Sequence, residues 1–128
     1  MPKILLIDDD AIEKDILVIH LNKAGFETFD IHQVSKCSSG LECLLHNKFD
    51  VVLLDNSLAD SISAEFSVPF IKGWLKGAPL IIISNNIDVP HLKSPDILGV
   101  DFIVDKKDLS SFMIKLLPIL PGAKRSVA

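Results

Sequence analysis

Residues 3–10 of the chain read Lys-Ile-Leu-Leu-Ile-Asp-Asp-Asp, a short apolar run that ends in three carboxylates. A continuous apolar run of this length, rich in β-branched residues, is typical of a strand buried on both faces of a sheet. Similar runs recur along the chain, and one weaker run alternates apolar and polar residues as a strand at a sheet edge does. The buried runs are residues 3–7, 51–54, 80–83 and 102–104, and the edge run is 27–34.

Helical patterns lie between these runs. In the first, residues 11–24, the spacing of Ile12, Ile16, Ile19 and Leu21 predicts the buried face, which Leu17 and Val18 widen. Gly25 is expected to end this helix, because glycine readily adopts the left-handed conformation that follows many helices. The later patterns cover residues 35–46, 62–76 and 108–117.

Prolines and capping residues refine the later helices. Pro69 is expected to shorten or kink the helix at 62–76, and Gly77 to end it. Pro90 and Pro95 predict a short or irregular fourth helix over residues 89–98. Asp108 suits the N-cap position of the last helix.

The alternation of strands and helices predicts an α/β fold, in which a parallel sheet carries helices on both faces. Open sheets of this kind collect functional residues at the carboxyl ends of their strands. The length of 128 residues fits one domain. We expect residues 1–120 to form that domain and residues 121–128 to form a short flexible tail.

Composition argues against several classes of function. The net charge of −4 disfavours bulk attraction to nucleic acid. No apolar run approaches the roughly 20 residues that a membrane helix needs, so no membrane association is expected. The two cysteines, Cys37 and Cys43, are expected to be free thiols, which favours a reducing, cytoplasmic location.

Polar residues follow the buried strands where each strand ends. Asp8, Asp9 and Asp10 follow the first strand, and Asp55, Ser84 and Lys106 follow later ones. Clustered carboxylates repel unless a cation lies among them, and Mg²⁺ is the small oxygen-binding cation that fits best. Such a set suits phosphoryl transfer to a carboxylate. Asp55 is then the nucleophile, Lys106 offsets phosphoryl charge, and Ser84 donates a hydrogen bond to a phosphoryl oxygen.

Over residues 3 to about 120 the chain resembles a response-regulator receiver domain of two-component signalling. Four segments carry the resemblance in order and at family-like spacing. They are residues 4–10 with an acidic pair, 51–55 with an acceptor aspartate, 80–84 with a hydroxyl residue, and 99–106 with a lysine. The resemblance implies a flavodoxin-like, doubly wound parallel sheet of five strands in the order 2-1-3-4-5.

The same resemblance implies a ligand set and partners. Mg²⁺ would be held by Asp9 and Asp55, by Asp8 largely through water, and by the backbone carbonyl of Ser57. Asp55 would take a phosphoryl group from a sensor histidine kinase or a histidine phosphotransfer protein. A stand-alone receiver would then signal in trans through contacts with a downstream protein. It would be no dedicated enzyme, and its own catalysis would be limited to phosphoryl transfer and dephosphorylation.

The sequence also departs from the family pattern. The loop after Asp55 lacks the usual proline and glycine, and Lys107 stands where a proline, often after a cis bond, is usual. Ile103 occupies the position of the switch aromatic. These departures favour an alternative, a pseudo-receiver that serves as an interaction module without phosphorylation. A small phosphatase is a distant third hypothesis, because Ser57 stands where such enzymes carry a second acid.

Simpler interpretations remain open for the same residues. The three aspartates at 8, 9 and 55 could be solvated strand-end caps, and Ser84 could satisfy only a local backbone group. A register shifted by one residue would put Asp105 in place of Lys106, which would then be a surface lysine. Cys37, Cys43 and His46 have irregular spacing and are expected to pack as ordinary side chains rather than to bind metal.

Overall fold

Five parallel strands form one sheet in the order β2-β1-β3-β4-β5 in the computed structural model, which describes residues 1–58 and 63–120. The strands are β1 (Lys3–Ile7), β2 (Asp30–Val34), β3 (Val51–Asp55), β4 (Leu80–Ser84) and β5 (Phe102–Asp105). The α/β class, the doubly wound topology and the strand order are therefore as predicted. The predicted edge run at 27–34 is indeed an edge strand, although it begins only at Asp30.

The helices are α1 (Glu13–Lys23), α2 (Cys37–His46), α3 (Ala64–Lys72), α4 (Pro95–Leu98) and α5 (Leu109–Leu116). Short 3₁₀ turns precede α4, join β5 to α5, and follow α5. None of the helices in the described ranges is long and apolar enough to cross a membrane. The predicted tail, residues 121–128, lies outside the described residues.

Alternate residues of the buried strands supply two hydrophobic cores, one on each face of the sheet. Ile4 and Leu6 face the core that includes buried residues of α1 and α5. Leu5 and Ile7 face the core that includes buried residues of α2 and α3. Because both faces are covered, β1, β3 and β4 are apolar except for Lys3, Asp55 and Ser84 at their ends. This burial fixes the register of the strands and hence the positions of the residues at their ends.

The predicted buried face of α1 is only partly correct. Ile12, Ile16 and Ile19 are 56%, 38% and 52% exposed, whereas Leu17 and Leu21 are buried. Both sets have spacings that fit one side of a helix, so periodicity alone does not select between them. Packing against the sheet selects the leucines and leaves an exposed row of isoleucines.

The predicted end of α1 is correct. Gly25 follows the helix with a φ of 94°. Its N–H donates to the carbonyl of Asn22, and the Phe26 N–H donates to that of Leu21. This pair of bonds is the Schellman arrangement, which satisfies the last carbonyls of a helix.

The third helix is shorter than the sequence pattern suggested. It begins at Ala64 and ends at Lys72, with Gly73 as the C-cap, so the predicted stop at Gly77 is wrong. Gly73 has low helix propensity, and Pro69 removes one backbone donor from the helix, so few intrahelical bonds support a longer one. The predicted start at Ile62 lies outside the described residues.

The region between β4 and β5 is irregular, as its prolines predicted. Pro90–Leu92 form a 3₁₀ turn and Pro95–Leu98 form a single helical turn. Ser94 caps the latter by accepting a hydrogen bond from the Ile97 N–H, and Gly99 follows with a φ of 82°. At the next helix, Asp108 occupies the predicted N-cap position of α5, but its side chain makes no capping hydrogen bond.

Candidate functional site

Three carboxylates meet at the carboxyl ends of β1 and β3. These neighbouring strands pair Ile7 with Leu54, so the residues that follow in each strand come together. Asp8, Asp9 and Asp55 each offer an oxygen, and these oxygens lie within 4.8 Å of one another. Asp8 and Asp55 are buried, whereas Asp9 is exposed. The predicted acidic cluster is therefore present.

Lys106 supplies a positive charge to this cluster. Its Nζ lies 2.9 Å from Asp8 Oδ2 and 3.2 Å from Asp55 Oδ2, and its side chain is 10% exposed. Lys106, and not Asp105, reaches the two buried carboxylates, while the Asp105 side chain accepts a hydrogen bond from the Lys107 N–H. Lys106 is thus not a solvated surface lysine.

The two buried carboxylates also have local partners. Asp8 Oδ1 accepts from the Asp10 N–H at 2.9 Å, and Asp55 Oδ1 accepts from the Ser57 N–H at 3.2 Å. Asp8 Oδ2 is buried, and its one partner among the described residues is Lys106, in an ion pair. The local bonds match the simpler strand-end interpretation, but they do not reach this buried oxygen.

The electrostatics of the cluster favour a bound cation. Burial, followed by the charge of Asp8, raises the pKa of Asp55 to about 6, although Lys106 and the Ser57 N–H act in the opposite direction. The pKa of Lys106 is raised because the carboxylates of Asp8 and Asp55 outweigh the effect of its burial. The pKa of Glu13 is also raised, chiefly by burial and partly by Asp8 and Asp10, while Lys106 lowers it.

An open depression of about 570 Å³ lies over the cluster. Its wall combines the acidic residues with polar residues from the ends of β3 and β4. The lining residues are Asp9, Asp10, Asp55, Asn56, Ser57, Ser84, Asn85, Asn86, Val89 and Lys106.

The donor set of the cluster fits the ion predicted from the sequence. The donors around the site are all oxygens, and the three carboxylates outnumber the single ammonium of Lys106. Hard oxygen donors in a site open to water suit Mg²⁺. The Ser57 carbonyl as a further ligand stays a prediction; the structure shows an exposed residue whose N–H serves Asp55.

Ser84 lies at the site with its hydroxyl engaged locally. Its Oγ donates to the Asn86 carbonyl at 3.0 Å and accepts from the Asn86 N–H at 3.2 Å. These bonds match the simpler interpretation, in which the hydroxyl satisfies a nearby backbone group. The same residue lines the depression beside Asp55, so a role toward a phosphoryl oxygen requires the hydroxyl to exchange its partner.

Sequence analysis missed Gln33 as a support of the site. Its Nε2 donates to the backbone carbonyls of Asp8 and Asp10 at 2.9 and 2.8 Å. Gln33 lies near the end of β2, beside β1, and so ties the acidic loop to the sheet. Its polar position in an alternating edge strand was a visible signal, but a single glutamine there does not reveal its partners.

Two further contacts were also missed. His91 Nε2 lies 2.7 Å from Asn56 Oδ1, although the two residues are 35 positions apart. The same oxygen accepts from the Ala64 N–H, at the start of α3. Nothing in the sequence pattern pairs His91 with the residue after Asp55.

Other sequence expectations concern the surroundings of the site. No cis peptide bond occurs in the described part of the chain, as the residue at Lys107 predicted. Ile103 packs against the core of α2 and α3, while Phe102 contacts Phe112 edge-on at 5.2 Å. The switch position therefore carries no aromatic ring.

The cysteine and histidine residues of α2 form no metal site among the residues described. Across the described residues, the only group with metal-binding geometry is the aspartate cluster at the ends of β1 and β3. Cys37 is buried and Cys43 is half-buried, and both are free thiols. Ordinary packing of Cys37, Cys43 and His46 is consistent with both observations.

Sequence comparison identifies a distant relative. No protein-family profile matches the chain. Transcriptional regulatory protein LytR of Staphylococcus aureus is 30% identical over 103 residues, which are 80% of this chain and 40% of that protein. The chain thus matches less than half of this relative.

Structural similarity is more extensive. A CheY-like response regulator receiver domain protein from Methanospirillum hungatei has a TM-score of 0.71 at 20% identity, covering 92% of this chain and 94% of that one. The receiver domain of a sensor histidine kinase from Pseudomonas aeruginosa, with magnesium coordinated in its active-site cleft, has a TM-score of 0.69 at 14% identity, covering 89% and 95%. The chain therefore has the fold of these receiver domains, as the resemblance of its four segments predicted.

Proposed function

We propose that this domain accepts a phosphoryl group on Asp55 from the phosphohistidine of a sensor histidine kinase or a histidine phosphotransfer protein, in a Mg²⁺-dependent reaction. The observation that carries the proposal is the convergence of Asp8, Asp9 and Lys106 on the buried Asp55 carboxylate. A strand-end aspartate without function does not need a buried lysine and two further acids beside it.

The reaction is a displacement at phosphorus. A lone pair of the Asp55 carboxylate attacks the phosphorus, an O–P bond forms, the N–P bond of the phosphohistidine breaks, and its electron pair returns to the imidazole. Asp55 is ionised at neutral pH despite its raised pKa of about 6, so the lone pair is available. Attack of water on the same phosphorus later releases inorganic phosphate and restores the carboxylate.

The residues around Asp55 have distinct roles in this proposal. Lys106 offsets the charge of the transferring phosphoryl oxygens, and Ser84 donates its hydroxyl to one of them after leaving Asn86. Asp9 and Asp55 would hold Mg²⁺ directly, Asp8 would act largely through water, and the Ser57 carbonyl would complete the protein ligands. When bound, Mg²⁺ supplies charge neutralisation for both the carboxylates and the phosphoryl group. The magnesium-bound receiver from Pseudomonas aeruginosa supports this assignment by analogy.

The exposed isoleucines of α1 supply a surface for the phosphoryl donor. Ile12, Ile16 and Ile19 lie on the helix whose first residue, Glu13, interacts electrostatically with Asp8 and Lys106. An exposed apolar row on this helix suits a protein donor that must bring its phosphohistidine close to Asp55.

The remaining parts of the proposal follow from this role. The domain, residues 1–120, signals in trans through protein contacts and is no dedicated enzyme beyond its own phosphoryl transfer and dephosphorylation. A cytoplasmic location agrees with the two free thiols. The relative LytR is named a transcriptional regulatory protein, but this chain matches only 40% of it, so direct binding of nucleic acid by this domain remains unexpected at a net charge of −4.

The test is beryllofluoride binding, followed by mass spectrometry after incubation with acetyl phosphate. With Mg²⁺ present, we expect beryllofluoride to perturb NMR signals near Asp9, Asp55 and Lys106, and acetyl phosphate to add one phosphoryl group. Asp55→Asn should abolish both effects, whereas Asp15→Asn, an exposed substitution on α1, should preserve them. A wild-type protein that shows neither effect contradicts the proposal.

The pseudo-receiver is the second candidate. The observation that favours it is the engagement of the Ser84 hydroxyl with Asn86, together with Ile103 at the switch position. An Asp55→Asn variant that folds and still controls its partner fully would support this candidate over phosphorylation.

A further inference from the structure

The hydrogen bond between His91 and Asn56 joins two parts of the fold that are distant in sequence. Asn56 directly follows the proposed acceptor, Asp55, and lines the depression over it. His91 lies in the 3₁₀ turn Pro90–Leu92, where the prolines interrupt the fourth helix. The contact thus links the acceptor loop to the irregular segment 89–98.

The atoms of this contact are fixed by chemistry. Asn56 Oδ1 accepts from the backbone N–H of Ala64 at 3.0 Å. Because a backbone N–H only donates, the Asn56 atom facing it must be the oxygen of the amide. His91 Nε2, at 2.7 Å from the same oxygen, must therefore carry a proton and donate. Both the neutral Nε2–H tautomer and the imidazolium satisfy this requirement.

Both ends of the contact are anchored. On one side, the Asn56 N–H donates to the Ile83 carbonyl at 2.8 Å, and the N–H of Ser57 donates to Asp55 Oδ1. On the other side, Leu92, the residue after His91, is buried in the core of α2 and α3. A displacement of the Asn56–Ser57 backbone should therefore displace the turn that carries His91, and a displacement of that turn should move Asn56.

The interruption of the fourth helix is what positions His91. Pro90 begins the 3₁₀ turn, and the Leu92 N–H closes it on the Val89 carbonyl at 3.1 Å. Val89 itself lines the depression over the site and packs against the core. The departure from the family pattern thus places a donor beside the acceptor loop.

We propose that His91 is a positioning residue of the acceptor site, which holds Asn56 and couples occupancy of the site to the segment 89–98. The proposal rests on the proposed function for what occupies the site. In a domain that has Ile103 instead of a switch aromatic, the segment 89–98 would then be the surface that changes when the site is occupied. Ile97, which is 91% exposed on this segment, is then part of the surface that changes.

The side-chain substitutions that test this proposal form a matched set. The amide nitrogen of His91→Gln reproduces the position of Nε2, whereas that of His91→Asn reproduces only Nδ1, so Gln should preserve the contact and Asn should lose it. In the protein without beryllofluoride, we expect His91→Asn to speed amide hydrogen exchange at Ala64 by about fivefold, as the loss of one hydrogen bond implies. Asn56→Ala should do the same at Leu92 and Lys93. At each of these amides, the change in the free energy of exchange in the double variant should be smaller than the sum of the changes in the two single variants.

The second measurement follows the response to beryllofluoride and Mg²⁺. We expect the wild type and His91→Gln to show NMR shifts both at the site and at residues 94–98. His91→Asn should keep the shifts at Asp9 and Lys106 and lose at least half of those at residues 94–98. Equal shifts in all three proteins overturn the coupling, and additive exchange effects overturn the positioning role. If the wild type binds no beryllofluoride, the proposed function fails, along with the coupling to occupancy, while hydrogen exchange still decides the positioning role.

Discussion

The Lys106 ammonium lies 3.2 Å from Asp55 Oδ2, at the carboxyl end of the central strand β3. This pair converts a cluster of like charges into a site with one fixed positive group. Burial raises the pKa of Asp55, and Lys106 is the larger of the influences that lower it. The lysine therefore lowers the pKa of Asp55 and also supplies a positive charge next to the position of a phosphoryl group on Asp55.

Replacing Lys106 by alanine should raise the pKa of Asp55 further, because the strongest favourable interaction of its charged form is lost. Loss of one charged hydrogen bond predicts a rate of acetyl phosphate reaction about tenfold to a hundredfold lower. NMR titration of the carboxyl group and mass spectrometry check the two effects. Lys107→Ala removes an exposed lysine next in sequence and should change neither. An unaltered rate in Lys106→Ala would exclude a role of this ammonium in the transfer.

Stability should depend on pH through Asp55. Its pKa is raised from 3.8 to about 6 in the folded state, so the folded protein binds this proton more tightly than the unfolded chain does. In the absence of Mg²⁺, this contribution to stability is complete below about pH 4 and is lost as the pH rises through about 6. Asp55→Asn should therefore stabilise the protein at pH 7 by on the order of 1 kcal/mol, a discounted value because Asp55 lines an open depression.

Urea denaturation at several pH values without Mg²⁺ measures this effect. The difference in unfolding free energy between Asp55→Asn and the wild type should shrink as the pH falls from 7 to 4. Asp15→Asn serves as the control and should show no such trend. A difference that stays constant over this range contradicts the raised pKa.

Magnesium should stabilise the folded domain and should do so in competition with protons. At a concentration ten times its dissociation constant, a bound ion adds about 1.4 kcal/mol to the free energy of unfolding. The gain should be present at pH 7.5 and largely absent at pH 5, where Asp55 is protonated. Asp9→Asn changes an exposed ligand and should remove the gain without unfolding the protein. Thermal unfolding with and without Mg²⁺ tests this, and an equal gain in Asp9→Asn argues against the proposed ligand set.

The strand order was predictable from the family resemblance, and the acidic cluster was predictable because continuous apolar runs end in carboxylates. Once β1 and β3 are neighbours, the pairing of Ile7 with Leu54 brings Asp8 and Asp55 together without help from any loop. Helix facing was less predictable. The isoleucines and the leucines of α1 have equally helical spacing, and only packing against the sheet selects Leu17 and Leu21.

Contacts that support the site were not predictable for a different reason. The bonds of Gln33 to the acidic loop and of His91 to Asn56 are between single polar residues far apart in sequence. They depend on the exact course of loops, which no periodic pattern encodes. The engagement of Ser84 with Asn86 is a local turn and was open as an alternative, since hydroxyl residues often bond to nearby backbone.

Gln33 should be needed for the shape of the acidic loop. Gln33→Ala leaves the carbonyls of Asp8 and Asp10 without this donor, which should lower the unfolding free energy by about 1–2 kcal/mol. It should also weaken Mg²⁺ binding, because Asp8 and Asp9 lose their support. His32→Ala, an exposed change one residue earlier on β2, is the matched control. Calorimetric titration with Mg²⁺ decides, and equal affinities for the two variants would mean that Gln33 acts on stability alone.

The exposed isoleucines of α1 should serve the protein donor and not the chemistry. Ile16→Asp places a charge in the middle of the row, so phosphoryl transfer from the cognate kinase or phosphotransfer protein should fall about tenfold or more, as hot-spot substitutions do. Reaction with acetyl phosphate, which needs no docking surface, should stay within about twofold. Ile119→Asp replaces an isoleucine that is 77% exposed outside the row, and it should affect neither reaction. The ratio of the two rates is the informative quantity, since a misfolded variant loses both. Equal losses in both reactions would place the effect of Ile16 in the fold or the site, whereas a selective loss with the protein donor would locate the docking surface on α1.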